Sequence, residues 1–188
     1  MNDRKRLLRE QLRKEYDDLS ATERIKTDDE LIARVLDFPL YKKCDRVFLF
    51  ASMDTEVNTR DLIHTAYDSG KTVLLPKCYG KGIMEFFAYE GSFAVGKYGI
   101  LEPTGAVSHI PTADDVMILP GLSFTPYGMR LGKGGGYYDR YLEKHPCITV
   151  GLCRERFLMQ ELPSEWNDLP VDYVITEAGI YICKNGAS

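Results

Sequence analysis

RVFLFASMDTEVNTRDLIHTAYDSGKTVLLP, residues 46–76, decides the architecture. Arg46 to Ala51 is a near-continuous apolar run of strand length, the pattern of a strand buried on both faces. Residues 59–69 read as a helix ending at Gly70, and Thr72 to Leu75 as the next strand, ended by Pro76. Strand, helix and strand within about 30 residues is the spacing of a βαβ unit. Downstream, Ile83 to Ala88 reads as another strand and residues 90–113 as a surface loop rich in Gly, Pro and polar residues. Val116 to Leu119 reads as a short buried strand, ended by Pro120-Gly121. A long loop follows, then a helix from about Tyr137 to Lys144 and strands at Cys147–Leu152, Val171–Thr176 and Ile180–Cys183.

Upstream of the βαβ unit the texture is helical. Leu8, Leu12 and Tyr16 recur every four residues on one face. A second helix opens at Ser20, where Ser20-Ala21-Thr22-Glu23 forms a capping box with Glu23 reaching back to the cap. Ile25, Ile32, Val35 and Leu36 carry its apolar stripe, and Pro39 stops it. The expected fold is therefore α/β: a mostly parallel sheet flanked by helices, preceded by two helices. At 188 residues, one domain over residues 1–188 is expected.

Composition narrows the function. Acidic residues number 28 against 24 basic ones, a net charge of −4, which argues against a dedicated nucleic-acid binder. No run approaches the roughly 18 apolar residues of a membrane span, and the charged start Met-Asn-Asp-Arg-Lys-Arg has no apolar segment behind it. A cytoplasmic protein is expected. The five cysteines are scattered without a CxxC pair, which predicts reduced core thiols and neither a disulfide scaffold nor a zinc site. His64, His109 and His145 assemble into no nucleophilic pattern. Trp166 is expected to anchor the packing of the C-terminal segment.

Chemistry is expected in Pro120 to Leu142, PGLSFTPYGMRLGKGGGYYDRYL. Gly128, Gly132, Gly134, Gly135 and Gly136 link a buried strand to a helix, and ligands of open α/β sheets bind beyond the carboxyl ends of strands. Glycines let backbone amides converge on an anion, the helix N-terminus adds partial positive charge, and Arg130 and Lys133 add full charges. A phosphate cradle needs these features. The established motifs do not fit: Gly132-Lys133 is followed by Gly134 where a Walker A loop needs Ser or Thr, and Tyr137 stands where a dinucleotide fingerprint needs glycine. A ligand-free flexible glycine loop remains the competing reading.

Arg130-Leu131-Gly132-Lys133-Gly134-Gly135-Gly136-Tyr137-Tyr138-Asp139-Arg140 resembles the signature of the 5-formyltetrahydrofolate cyclo-ligase family, also called 5,10-methenyltetrahydrofolate synthetase. The resemblance runs nearly end to end. It takes in Lys5 to Arg9, Leu19-Ser20 with Glu23-Arg24, Ser52 to Thr59, Tyr98 to Pro103, Pro120 to Phe124 and Asp168 to Asp172. It implies a Rossmann-like layered fold and an ATP- and Mg²⁺-dependent cyclisation of 5-formyltetrahydrofolate to 5,10-methenyltetrahydrofolate, with ADP and phosphate released. The implied substrate is a small molecule, with or without a polyglutamate tail, and the expected enzyme a monomer. Competing readings are a sugar-phosphate isomerase or CoA-transferase on a similar fold, and a non-catalytic folate- or nucleotide-binding protein.

The resemblance also implies roles. Lys5, Arg9 and the run Arg130, Leu131, Gly132, Lys133, Gly134, Gly135, Gly136, Tyr137 and Tyr138 would hold the nucleotide, with Lys133 and Arg130 at the transferred group. Ala51, Met53, Glu56 and Tyr98, with residues 133–137, would contact the folate, Glu56 accepting from pterin N–H groups. Asp139 and Asp168 would ligate Mg²⁺, which needs few carboxylates beside phosphate and water. Each has a plainer alternative: a solvated basic face for Lys5 and Arg9, a surface ion pair for Arg130, an exposed loop acid for Glu56, a helix-start acid for Asp139, packing for Tyr98. Of Tyr137 and Tyr138, one is expected on the ligand and one in the core. Asn58 departs from the family pattern, which commonly has an acid there, and Asp172 is expected to cap or pair structurally.

Overall fold

The computed structural model describes residues 3–53, 56–80, 82–96, 101–166 and 168–183. Helices α1 (Asp3–Asp17), α2 (Ala21–Asp37) and the short α3 (Pro39–Lys43) lead into β1 (Arg46–Phe48). Helix α4 (Arg60–Asp68) crosses over to β2 (Thr72–Gly80), which runs parallel to β1 with Val47 beside Val73. The expected βαβ unit is thus present. Next come β3 (Ile83–Ala88), β4 (Phe93–Val95), β5 (Leu101–Pro103), β6 (Ser108–His109), β7 (Val116–Leu119), β8 (Ser123–Phe124), β9 (Arg130–Leu131), α5 (Tyr137–Lys144), β10 (Ile148–Leu152), β11 (Tyr173–Ile175) and β12 (Ile180–Ile182).

The main sheet has the order β12-β11-β10-β7-β1-β2-β3-β6. Its interior pairs, β11 to β10, β10 to β7, β7 to β1 and β1 to β2, are parallel, and the antiparallel strands lie at the ends. The apolar runs alternate faces. Val47, Val73, Leu75, Val116, Ile118, Val150 and Leu152 pack with α2, α3 and α4 on one side. Phe48, Leu74, Met117 and Leu119 pack with α1 and α5 on the other. Both faces are covered, which is why these strands carry near-continuous apolar sequence rather than polar alternation.

Several local expectations are corrected. Pro76 does not end β2: it pairs opposite Phe86 of β3 and the strand continues to Gly80. The pairing with β1 has stopped at Leu74, so by Pro76 the strand has a free side where a missing N–H costs nothing. Residues 90–113 include β4, β5 and β6, and the long loop after β7 folds into the β8–β9 hairpin. Ser20 caps α2 by accepting from the Glu23 amide at 3.2 Å, but the Glu23 carboxylate faces Arg156 at 3.5 Å. Ile25 is exposed, because it lies N-terminal to the stretch of α2 on which Leu31, Ile32, Val35 and Leu36 meet the core. Trp166 is 98% exposed and anchors no packing.

The connections set the site. From β1 the chain crosses through α4 on one face to β2; from β7, beside β1, it passes through α5 on the opposite face to β10. Such divergence opens a crevice at the carboxyl ends of the two strands. The loop carrying Glu56 follows β1, and the glycine loop follows β7 by way of the hairpin.

Candidate active site

Strand β9 pairs with β8 at Phe124–Arg130 and delivers Arg130 to the crevice. Its side chain is only 7% exposed, so the surface-pair reading fails. One terminal nitrogen lies 2.9 Å from Asp139 Oδ1, the other 3.3 Å from the Pro120 carbonyl, and the guanidinium stands 5.6 Å over the Tyr138 ring. Beyond it Gly134 and Gly136 take φ of +102° and +62°, backbone that side-chain-bearing residues rarely adopt. Gly136 is the N-cap of α5 and has no side chain over the first amides of that helix. Asp139 in its first turn is favourably placed against the helix dipole.

Helix α1 closes the other wall. Lys5 is 4% exposed, far from a solvated basic face. Its ammonium reaches Asp168 Oδ2 at 2.5 Å and Glu165 Oε2 at 3.1 Å. One turn on, Arg9 Nε donates to the Gly132 carbonyl at 2.7 Å, while Arg9 Nη1 is buried with no partner among the described residues. Burial is the main influence holding the Arg9 pKa below its usual value, with Arg13 adding to it and Asp168 and Glu165 opposing. An unpartnered buried N–H on a cation is costly unless an acceptor arrives. This atom therefore marks where an anion would be welcome.

Glu56 is not an exposed loop acid either, its side chain being 8% exposed. Oε1 meets Lys133 Nζ at 2.7 Å, and Oε2 accepts from the Met53 amide at 2.8 Å. Behind this loop Arg154 of the segment after β10 pairs with Asp28 of α2 at 2.6 Å and donates to the Glu56 carbonyl at 3.3 Å.

One cavity of about 340 Å³ collects Lys5, Arg9, Glu56, the run Arg130 to Asp139, and Asp168. Tyr137 and Tyr138 both line it and both pack against the core, so neither is a purely core residue. Tyr138 has its phenol pushed well above the usual range, chiefly by burial and secondarily by Glu56. Two expectations are corrected. Ala51 is half-buried but does not line the cavity, and Met53 is 45% exposed outside it, touching Lys133 Nζ through sulfur at 3.3 Å. Tyr98 lies outside the described residues.

Sequence reasoning missed Pro76, Cys78, Met84, Arg140 and Glu165, which also line the cavity. Arg140 Nη2 donates to the Gly135 carbonyl and its Nε to Gly82 at 3.4 Å, tying the glycine loop to the β2–β3 turn. Its place as the last residue of the glycine signature was the available signal. Glu165, three residues before Asp168, carried none. Asp172 is structural as expected, accepting from the Thr149 amide at 2.8 Å.

Among the described residues no three His, Cys, Asp or Glu side chains converge as a ready-made metal cage. Asp139 and Asp168 nevertheless line the same cavity. Arg130 engages Oδ1 of Asp139; Lys5 and the Glu165 amide engage Oδ2 of Asp168. Among the described residues no hydrogen bond occupies the other oxygen of either carboxylate, a donor set suited to a hard cation completed by phosphate and water.

The chain matches the model of the 5-formyltetrahydrofolate cyclo-ligase family over residues 1–177. It is 31% identical to a 5-formyltetrahydrofolate cyclo-ligase of Escherichia coli K12, over 79% of this chain and 86% of that protein. With the mouse 5-formyltetrahydrofolate cyclo-ligase it shares 29%, over 94% and 95% of the two chains. The NMR structure of an Aquifex aeolicus 5,10-methenyltetrahydrofolate synthetase superposes with a TM-score of 0.87 at 30% identity, over 98% of this chain and 95% of that one.

Proposed function

This chain belongs to the 5-formyltetrahydrofolate cyclo-ligase family and is an enzyme of that kind; on that premise we propose how its cleft does the work. The reaction is closure of 5-formyltetrahydrofolate to 5,10-methenyltetrahydrofolate with ATP and Mg²⁺, releasing ADP and phosphate. The carrying observation is the meeting in one cavity of a positive-φ glycine loop, the buried Glu56 side chain and Arg9 Nη1, which has no partner among the described residues.

A formamide oxygen is a poor leaving group. Transfer of the γ-phosphoryl group to it makes a phosphate ester on an iminium-like carbon. The neighbouring amine attacks that carbon, and the oxygen departs with phosphate. Such transfer rests on positioning and charge neutralisation. The amides of 132–136, with Arg9 and Arg130, hold the phosphates. Glu56 accepts from the pterin N–H groups, an exchange that releases Lys133 from its 2.7 Å pair toward the transferring group. Asp139 and Asp168 would hold magnesium, which would neutralise phosphate charge. Residues 133–137 lie against the folate, and Lys5 faces the phosphates from α1.

We read the chain as one domain and the enzyme as a cytoplasmic monomer whose only partner is its substrate. The net charge of −4 supports the exclusion of nucleic acid, and no described helix is long and apolar enough to cross a membrane. The test mixes pure protein with 5-formyltetrahydrofolate, ATP and Mg²⁺ and follows the near-ultraviolet absorbance of the methenyl product. A rise that requires all three is expected. Folded protein that gives no rise, but turns over sugar phosphates or CoA esters, would overturn the reading.

A further inference from the structure

Lys5 has two carboxylate partners where one would neutralise it. Its side chain is 5% exposed, Asp168 is 17% exposed and Glu165 43%. Asp168 is the nearer, and its Oδ2 also accepts from the Glu165 amide at 2.6 Å. A buried ammonium stripped of its counter-charge is strongly destabilising. Asp168 is also one of the two acids able to meet a divalent cation in the cavity. A cation arriving at Asp168 and the Lys5 ammonium already there are like charges on one carboxylate. Without a second acceptor, Lys5 competes with the metal.

We propose that Glu165 is a positioning residue that takes Lys5 over when Asp168 turns to the metal. The inference rests on the nucleotide-and-metal reading above. The ammonium has three donors. With Asp168 released, it keeps Glu165 and has a donor for a phosphate oxygen, so its charge stays compensated throughout. Glu165 itself touches neither metal nor reacting atoms. Its half-exposed position gives its carboxylate freedom to follow Lys5, and its backbone amide keeps Asp168 aimed at the cavity whatever its side chain does. That separation makes the side chain testable without disturbing Asp168.

The experiment is titration of Mn²⁺ into full-length wild type and Glu165→Gln at saturating ATP. Free Mn²⁺ is read by electron paramagnetic resonance, at low salt and at about 0.5 M KCl, where the Debye length is only a few ångströms. Glu165→Gln should bind Mn²⁺ roughly three- to six-fold more weakly at both salt concentrations, the range of a partly exposed ion pair. ATP affinity without metal should be unchanged. Equal Mn²⁺ affinity in the two proteins would overturn the proposal. So would a difference that vanishes at high salt, since Glu165 would then act only as a distant charge. A parallel loss of metal-free ATP binding would also overturn it. Wild type that takes up no Mn²⁺ with ATP would instead bring down the nucleotide-and-metal reading, and this inference with it.

Discussion

Replacing Arg154 by Leu removes the cation that pairs with Asp28 at 2.6 Å, in a place where Arg154 is 3% and Asp28 11% exposed. Breaking a buried pair from one side costs about 3–5 kcal/mol. Asp28 retains the Asn58 amide at 3.0 Å, and burial already raises its pKa against the opposing pull of Arg154. It can therefore shed its charge by taking up a proton, so we expect a loss near the lower bound, about 3 kcal/mol at pH 8. The pH dependence has a definite sign. Without Arg154 the folded-state pKa of Asp28 rises further above its unfolded value. The folded protein then binds a proton that the unfolded chain does not, and its stability increases as pH falls. The deficit at pH 5.5 should thus be smaller than at pH 8. Urea unfolding of wild type and Arg154→Leu at the two pH values measures both quantities. The double variant Arg154→Leu/Asp28→Leu should recover part of the loss, because no charge is left buried. Because Arg154 also holds the Glu56 carbonyl, the single variant should raise KM for the folate as well. A deficit below about 1 kcal/mol, or one unchanged between the two pH values, would refute the assignment of a buried, mutually dependent pair.

Other expected outcomes concern the cleft and the thiols. Glu56→Gln removes the charge opposite Lys133 Nζ and weakens the acceptor offered to the pterin, so KM for the folate should rise about ten-fold or more, as expected for a lost charge-assisted hydrogen bond, a test read by absorbance. Gly134→Ala forces a side chain onto φ +102°, and strain of about 1–3 kcal/mol should distort the loop and raise KM for ATP; an unchanged KM would remove the loop from the nucleotide site. Asp139→Asn should abolish turnover while leaving the fold intact by circular dichroism, and near-normal activity would sink its metal role. Burial holds Cys147 and Cys153 up to about 12, so both should resist thiol reagents at pH 8 in the folded state. Their raised values favour the fold fully below the unfolded thiol range, near 8.5, and that contribution is lost as pH rises toward 12. Chemical denaturation between pH 8 and 10.5 should show the decline.

The resemblance in the glycine signature carried the family, and the apolar runs carried the sheet. Val47-Phe48-Leu49 could be read as doubly buried because a strand with both faces covered has no polar alternation. Gly134 and Gly136 stood out because positive φ admits few other residues. Ile25 and Trp166 were misread for one reason: an apolar residue in sequence reports what it would gain by burial, not whether a neighbour comes to cover it.

Residue type and spacing by themselves determined the α/β fold, the place of the glycine loop after a buried strand, and the cations and acids available there. Charge, helix period and backbone allowance are local properties, so a linear chain displays them. Tertiary structure alone decided which charges meet. Lys5 finds Asp168 across 163 positions, Lys133 reaches Glu56 from the facing loop, and Glu165 joins the cleft with no signature to announce it. The folding of α1 against the C-terminal segment brings Lys5 within 4 Å of both acids, and no spacing rule encodes a contact between elements that distant along the chain.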